Sequence, residues 1–325
     1  MSGIKEIEKL YRDRINNVLH EHPELKGYVN FLNDVTFRTQ YAYLNIIARF
    51  IERCNKKIEK LDFDDFNNYI SDLKYNGNGE SKTQSYLITV YSAMKRYCEY
   101  LSASKKIPEN YMLDIKRPKY SESQDTIQKR ENGYLNESEM KKMLKHSQDN
   151  TSSKRKLSRD LQMRNQAIIY LFLGTGIRCS ALTTIDIDDL DLDNKIVTVT
   201  EKGNKIRTYE LSREVCDVIN LWLTWRKAIT KDESKALFIT KNGERIKTGD
   251  VYYIIKNIAK NVTDKNISPH KLRASYGTQL YNITGDIYFV QDCMGHNSPQ
   301  TTERYIRGKK ENTKRASDIM AKMMR

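Results

Sequence analysis

The chain has 325 residues, of which 38% are hydrophobic and 30% are charged, and its formal net charge is +14. This predicts a globular protein of two domains, and no apolar run approaches the roughly 18 residues that span a membrane. The five cysteines contain no CxxC pair and the five histidines no HExxH arrangement, so neither a disulfide framework nor a metal site is predicted. The N-terminus lacks the apolar core of a signal peptide, which predicts a cytoplasmic protein.

The excess of positive charge is concentrated in the later part of the chain. Residues 1–110 carry 17 basic and 15 acidic side chains, whereas the remainder carries 39 and 27. Such an excess is an argument about partners, and nucleic acid is the expected polyanion. A merely basic surface is the alternative that charge alone leaves open.

Residues 1–110 are predicted to form a compact helical domain. Apolar residues recur at helical spacing in four segments, namely 4–20, 36–54, 62–73 and 81–104. The sequence His22-Pro23 ends the first helix, and N-G-N-G at 76–79 predicts a turn before the last one. The helix at 4–20 is an N-terminal addition that could contact DNA or another protomer.

A polar segment without periodicity follows this domain. Residues 111–134 are predicted to be an interdomain linker, in which the stretch 116–134 is the most polar. Its basic side chains Lys116, Arg117 and Lys119 could follow DNA phosphates. A solvated linker without such contacts is an equally good interpretation.

Residues 135–325 are predicted to form a second, mainly helical domain with a small antiparallel sheet. Asn136 and Glu139 have the spacing of a capping box at the start of a helix that runs to about residue 146. Further helices are predicted at 164–174, 179–182, 215–225, 249–262, 269–281 and 287–294. Strands are predicted at 195–200 and 205–211, joined by a hairpin turn at 201–204, with a third strand at 236–240.

Arg178 lies in a break, G-T-G-I-R, between two apolar helical segments. Burying an arginine there without an anionic partner would be costly. Position 181, one helical turn further on, is alanine. A purely structural interpretation therefore pairs Arg178 with a distant carboxylate, such as one in D-I-D-D at 186–189.

Other polar side chains also lie at the edges of predicted elements. Lys202 belongs to the hairpin turn, and the i, i+3 spacing places His270 and Arg273 on one face of a helix start, which suits a phosphate. The stretch M-G-H-N-S-P-Q-T-T-E-R-Y at 294–305 carries His296 and Tyr305 beside a basic cluster. Taken singly, each residue is also explained as an ordinary turn, surface or packing residue.

Taken together, the six side chains match metal-free attack on a phosphodiester. Two arginines can hold the non-bridging oxygens of a pentacovalent phosphorane, and a histidine can donate to them or move a proton. A lysine can protonate the leaving 5′ oxygen. A tyrosine can form a covalent intermediate that conserves the bond energy for rejoining.

Over roughly residues 30–310 the chain resembles the tyrosine recombinase (phage integrase) family, of the Xer-like and mobile-element kind. The matching motifs are G-T-G-I-R-C-S-A-L, E-K-G-N-K, H-K-L-R and M-G-H-N-S-P-Q-T-T-E-R-Y. The resemblance implies that Tyr305 is the nucleophile and that Arg178, Arg273 and His296 stabilise the transition state. It implies that Lys202 is the general acid, with Lys205 as its rival, and that His270 assists proton transfer.

The resemblance also implies an architecture and an assembly. Residues 1–110 would be the core-DNA-binding domain, and with the catalytic domain 135–325 they would form a C-shaped clamp around duplex DNA. A tail from about residue 306 would dock into a neighbouring protomer, giving a homo-tetramer on paired recombination sites, with no cofactor and no membrane contact. Lys205 is also a candidate DNA contact.

The expected activity is site-specific recombination through a 3′-phosphotyrosine and a Holliday junction, serving mobile-element integration or excision, or DNA inversion. The alternatives are Xer-type chromosome-dimer resolution, a type IB topoisomerase-like enzyme without synapsis, and a DNA-binding protein without catalysis. One departure stands out, because the family commonly has an acidic residue at the position of Ala181. Its absence puts the contacts around Arg178 and His270 in question.

Overall fold

The computed structural model describes residues 2–74, 83–119, 133–148, 159–201, 205–230 and 234–295. The chain divides into two compact units, of which the first is Ile4–Ser123 and the second begins at Gln124. Both consist mainly of helices, and within the described residues the second contains one small antiparallel sheet. The predicted fold class is therefore confirmed. None of the described helices has the length and apolar character required to cross a bilayer.

The first unit is a bundle of helices around an aromatic core. Its helices are α1 (Ser2–Glu21), α2 (Lys26–Phe31), α3 (Phe37–Cys54), α4 (Phe63–Lys74) and α5 (Gln84–Ala103). The ring of Phe50 in α3 lies 4.9 Å from that of Phe66 and 5.2 Å from that of Tyr69, both in α4, measured between centroids. The four helices predicted here are confirmed to within a few residues, and the predicted turn at 76–79 lies outside the described residues.

Helix α3 shows how local sequence sets these boundaries. The hydroxyl of Thr36 accepts a hydrogen bond from the backbone N–H of Thr39 at 3.4 Å, which satisfies one of the unpaired donors at the helix start. The helix ends at Cys54, and the residue after it, Asn55, adopts the left-handed conformation (φ 47°) that asparagine tolerates. Between these ends, Leu44 and Ile47 are buried on one face, as their helical spacing predicts.

The core of the first unit extends past residue 110. Met112 and Ile115, which fall within the predicted linker 111–134, are buried in it. The hydroxyl of Tyr91 in α5 donates a hydrogen bond to the carbonyl of Ile115 at 3.0 Å. These contacts fix the chain to the helical unit as far as residue 115, and the predicted linker residues 120–132 lie outside the described part of the chain.

The second unit carries the sheet and most of the sequence motifs. Its helices are α6 (Glu137–Gln148), α7 (Arg159–Thr175), α8 (Cys179–Thr184), α9 (Arg213–Ile229), α10 (Thr248–Ala259), α11 (Pro269–Thr284) and α12 (Ile287–Met294). Its strands are β1 (Leu190–Asp191), β2 (Ile196–Glu201) and β3 (Lys205–Glu210). The predicted capping box is confirmed, because the N–H of Asn136 donates to Glu139 at 2.8 Å and the N–H of Glu139 donates back at 2.9 Å.

Helix α7 lies at the centre of this unit. Its apolar run at 167–173 is buried apart from the half-buried Tyr170, and the helix packs against α6, α9 and α11. A helix with apolar residues on all sides is stable only when other elements surround it. The break that follows α7 is therefore held in place from several directions.

The sheet has the order β1-β2-β3 with antiparallel pairing, and Val199 is opposite Arg207. Because side chains alternate between the two faces of a strand, Glu201 shares the face of the buried Val199. On β3 the same alternation puts Tyr209 on the face of Arg207. One face of the sheet thus carries apolar residues at one end and charged residues at the hairpin end.

The prediction of a third strand at 236–240 is wrong. This segment forms isolated bridges only, and the third strand of the sheet is β1, which is two residues long. The reason is that side chains of α9 occupy the carbonyl groups that a ladder would need. Arg226 donates to the carbonyl of Ala236 at 2.9 Å, and the indole of Trp222 donates to that of Leu237 at 3.0 Å.

Candidate active site

Three of the six residues predicted to be catalytic lie in the described part of the second unit. They are Arg178, at the start of α8, and His270 and Arg273, in α11. The other three lie outside the described residues, namely Lys202, His296 and Tyr305. Of the candidate site, the structure therefore describes the part that contains the two arginines.

The break between α7 and α8, at residues 176–178, depends on the backbone conformation of a glycine. Gly176 adopts a left-handed conformation (φ 61°), and a Cβ there would lie 2.3 Å from the ring of Tyr276. The hydroxyl of Thr175 accepts the N–H of Ile177 at 3.2 Å, which supports the turn. Arg178 then takes an extended backbone conformation as the residue before α8. A glycine is thus required where the sequence shows G-T-G-I-R.

Arg178 is half-buried and has two described partners. One terminal nitrogen, Nη1, forms an ion pair with Oε2 of Glu201, and the other, Nη2, donates to the carbonyl of Gly295 at 3.0 Å. The alternative pairing with 186–189 is wrong for Asp186, whose carboxylate forms a buried ion pair with Arg245. The counter-charge of Arg178 comes from the end of β2.

Arg273 is brought to the same place by α11. Ser268 caps this helix through the N–H of Lys271, and Pro269 occupies the first turn, where its missing N–H costs nothing. Arg273 is 4% exposed, and Nη1 donates to the carbonyl of Gly176 at 2.5 Å while Nη2 donates to that of Met294. Burial, assisted by the charge of Arg178, lowers the pKa of the Arg273 guanidinium.

The C-terminal end of α12 is where these arginines meet. Arg207 of β3 donates from Nη2 to the carbonyls of Asp292, at 2.5 Å, and Cys293, at 2.9 Å. Arg273 and Arg178 bind the next two carbonyls along the chain, as described above. The last carbonyls of a helix lack internal partners and carry partial negative charge, so three guanidinium groups satisfy them here.

This helix end also needs a glycine. Gly295 adopts φ of 57°, and a Cβ on it would lie 1.9 Å from Nη1 of Arg207. The residue after it in the sequence is His296, and Tyr305 follows nine positions later. The arginines that are predicted to hold the phosphate therefore also fix the point from which the chain continues toward both of these residues.

Glu201 and Tyr209 complete the described part of the site, and neither was predicted as a site residue; Glu201, predicted to begin the hairpin turn, is the last residue of β2. The side chain of Glu201 is 8% exposed, and its Oε1 accepts the hydroxyl of Tyr209 at 2.8 Å. Burial and this hydrogen bond raise the pKa of the Tyr209 phenol. A signal was present, because the alternation of β2 places an acidic residue on the face of Val197 and Val199.

The other predicted site residues that the structure describes, His270 and the candidate DNA contacts, are exposed. His270 is exposed in the first turn of α11, whereas Arg273, three residues later, is buried. Lys116, Arg117, Lys119 and Lys205 are all exposed, as candidate DNA contacts should be. Among the described residues, no cluster of three or more histidine, cysteine, aspartate or glutamate side chains is arranged to hold a metal ion.

Two regions of the chain match models of known protein families. Residues 133–312, more than half of the chain, match the Phage integrase family. Residues 29–104 match the N-terminal SAM-like domain of phage integrases. The two matches leave residues 105–132 between them, and this interval contains all but the last two residues of the predicted linker 111–134.

Among similar proteins is the tyrosine recombinase XerC of Alcanivorax borkumensis, 29% identical over 228 residues, which are 70% of each chain. The XerC of Caldanaerobacter subterraneus subsp. tengcongensis is 29% identical over 309 residues, 87% of this chain and 82% of the relative. For the XerC of Corynebacterium glutamicum the identity is 38%, over 44% of this chain and 46% of the relative.

Solved structures share the fold. The XerH site-specific recombinase bound to difH substrate superposes with a TM-score of 0.65 at 21% identity, covering 88% of this chain and 80% of that one. The Tn1549 transposon integrase in complex with circular intermediate DNA gives 0.63 at 17% identity, covering 93% and 97%. The family matches confirm the resemblance that the four motifs carried: the chain belongs to the phage integrase family of tyrosine recombinases.

Proposed function

We propose that the protein is a tyrosine-type site-specific recombinase that cuts and rejoins duplex DNA through Tyr305. One observation carries the proposal beyond family membership. Arg178 and Arg273, which are 95 positions apart in the sequence, bind adjacent carbonyls, those of Gly295 and Met294, directly before the segment with His296. Two cations at one point are suited to a phosphate, because a guanidinium presents several donors in a fixed plane.

The proposed chemistry needs only side chains of the protein and the DNA. The phenolic oxygen of Tyr305 loses its proton to His270 and attacks the scissile phosphorus, and the bond from phosphorus to the 5′ oxygen breaks. Lys202, with Lys205 as its rival, gives a proton to that leaving oxygen, while Arg178, Arg273 and His296 stabilise the charge of the phosphorane. His270 assists proton transfer. Attack by the 5′-hydroxyl of another strand reverses the step and joins the DNA, so no cofactor is required.

The proposed partner is duplex DNA with paired recombination sites, bound by a homo-tetramer whose tail from about residue 306 docks into a neighbour. Support for DNA comes from the relatives, since XerH is bound to its difH substrate and the Tn1549 integrase to circular intermediate DNA. The net charge of +14 agrees with a polyanionic partner. Contacts of Lys116, Arg117, Lys119 and Lys205 with phosphates would make the affinity fall steeply with salt.

For the biological role we propose integration or excision of a mobile element, or DNA inversion. Xer-type chromosome-dimer resolution is the alternative, and the chain is similar both to XerC proteins and to a transposon integrase. A type IB topoisomerase-like activity is a third candidate, with the same chemistry but without synapsis. Either kind of recombinase joins strands of two separate sites, whereas the topoisomerase-like enzyme does not.

A strand-exchange experiment tests the proposal. The purified full chain is mixed in EDTA with a supercoiled plasmid and a labelled linear duplex, both carrying DNA that flanks its own gene. We expect the label to become joined to plasmid DNA, and a plasmid without the flanking sequence should remain unlabelled. Relaxation of both plasmids without joining would support the topoisomerase-like alternative, and binding without either reaction would overturn the enzymatic proposal.

A further inference from the structure

Glu201 is an acidic side chain inside a cluster of cations. It is the last residue of β2, with Val197 and Val199 on the same face, and its side chain is 8% exposed. One carboxylate oxygen pairs with Arg178, and the other accepts the hydroxyl of Tyr209 at 2.8 Å. Both oxygens therefore have a partner, and the carboxylate can adopt few other positions.

The arginines of the site create a need for such a charge. Arg273 is buried, and the nearby charge of Arg178 contributes to lowering its pKa. Two neighbouring guanidinium groups repel each other, and helix carbonyls offset this only in part. The carboxylate of Glu201, paired with Arg178, reduces the repulsion before any phosphate is bound.

The other acidic residues near α8 are engaged elsewhere. Asp186 pairs with Arg245, and Asp189 accepts the N–H of Asp186 at 2.8 Å. Position 181, the place one helical turn beyond Arg178, is a buried alanine. Among the described residues, Glu201 is the carboxylate that contacts Arg178.

We propose that Glu201 is the positioning residue of Arg178, supplying from β2 the counter-charge that position 181 does not supply from α8. Arg178 is bound by Glu201 through one terminal nitrogen and by the carbonyl of Gly295 through the other. These contacts fix its orientation before the phosphate binds. Tyr209 in turn fixes the carboxylate. The inference rests on the proposed recombinase function, because it assigns Arg178 to the scissile phosphate.

The consequence is a coupling between two side chains that are 23 positions apart. Without the carboxylate, Arg178 would lose a charge-assisted hydrogen bond. Such bonds are roughly twice as strong as neutral ones, so the loss should alter the orientation of the guanidinium. Glu201→Gln keeps the size of the side chain and removes its charge. The variant should therefore slow strand cleavage by about tenfold or more, while DNA affinity changes by less than about threefold.

A double-mutant cycle tests the coupling. Single-turnover cleavage of a nicked duplex is measured for the wild type, Glu201→Gln, Arg178→Lys and the double variant, each as the full chain. If Glu201 acts through Arg178, its substitution should cost about tenfold in the wild type but less than about threefold beside Arg178→Lys. A merely structural role would give the same loss in both backgrounds, and that result would overturn the inference.

Two controls make the outcome decisive. Glu210→Gln removes an exposed carboxylate of the neighbouring strand and should leave cleavage unchanged. Unfolding in urea, followed by fluorescence of Trp222 and Trp225 in α9, shows whether each variant keeps the second unit folded. Equal or faster cleavage by Glu201→Gln overturns the inference alone. A wild type that never attaches to DNA overturns the proposed function, and the inference with it.

Discussion

Replacement of Arg273 by lysine is expected to slow strand cleavage by about 10²–10³-fold, the usual loss when one preorganised donor to a developing charge is removed. Arg273 is 4% exposed, and its guanidinium already donates to two carbonyls, those of Gly176 and Met294. A lysine ammonium is a point charge on a flexible stem and cannot hold both carbonyls and a phosphate with a planar set of donors. The conservative substitution is therefore not conservative at this position.

Arg226→Lys is the matched control for this loss. Arg226 is also buried in the second unit, with bonds to the carbonyls of Ala236 and Ser234, but it lies outside the candidate site. Cleavage under single-turnover conditions and the urea midpoint are measured for both variants. Both should lose stability, and only Arg273→Lys should lose the rate of cleavage. Similar cleavage rates for the two variants would contradict the assignment of Arg273 to the active site.

Replacement of Gly295 by alanine should reduce cleavage by about 10²-fold, because a small displacement of catalytic groups has an effect of that size. The residue needs φ of 57°, which costs a residue with a Cβ about 1–2 kcal/mol. In addition, the Cβ would lie 1.9 Å from Nη1 of Arg207, so either the arginine or the helix end must move. The carbonyl that Arg178 binds would move with it.

Gly243→Ala separates these two effects. Gly243 has φ of 81°, and a Cβ on it would meet nothing within 4 Å. Its substitution should cost similar backbone strain without changing cleavage. Single-turnover rates and urea midpoints of both variants give the comparison. If Gly243→Ala slows cleavage as much as Gly295→Ala does, general instability explains the loss and the position of the α12 end does not.

Local patterns were sufficient to predict most elements of this fold. The helix start at Asn136 and the end of α12 at Met294 follow from capping residues and spacing that act within a few positions. The strand predicted at 236–240 does not form, although the segment A-L-F-I-T is almost wholly apolar, because Arg226 and Trp222 bind its carbonyls. Such contacts depend on the packing of α9 and have no local signature.

In the candidate site too, local motifs predict some residues, and contacts between distant segments determine the others. Motif order predicts Arg178 and Arg273 as site residues, whereas it gives no partner for Arg178, and the carboxylates at 186–189 were the candidates. Glu201 was missed because the contact depends on where the end of β2 meets the start of α8, across 23 positions. The role of Arg207 was missed for the same reason, since it binds carbonyls that are 85 and 86 positions away.

The most direct measurement is covalent trapping of DNA by the wild type and by Tyr305→Phe. Each protein is mixed with nicked duplexes from its own genomic neighbourhood and quenched in denaturant, and the attached DNA is sequenced. Tyr288→Phe serves as control, because Tyr288 is an exposed tyrosine of α12. We expect attachment for the wild type and for Tyr288→Phe, and none for Tyr305→Phe. Attachment that survives Tyr305→Phe would contradict the assignment of the nucleophile among the 21 tyrosines of the chain.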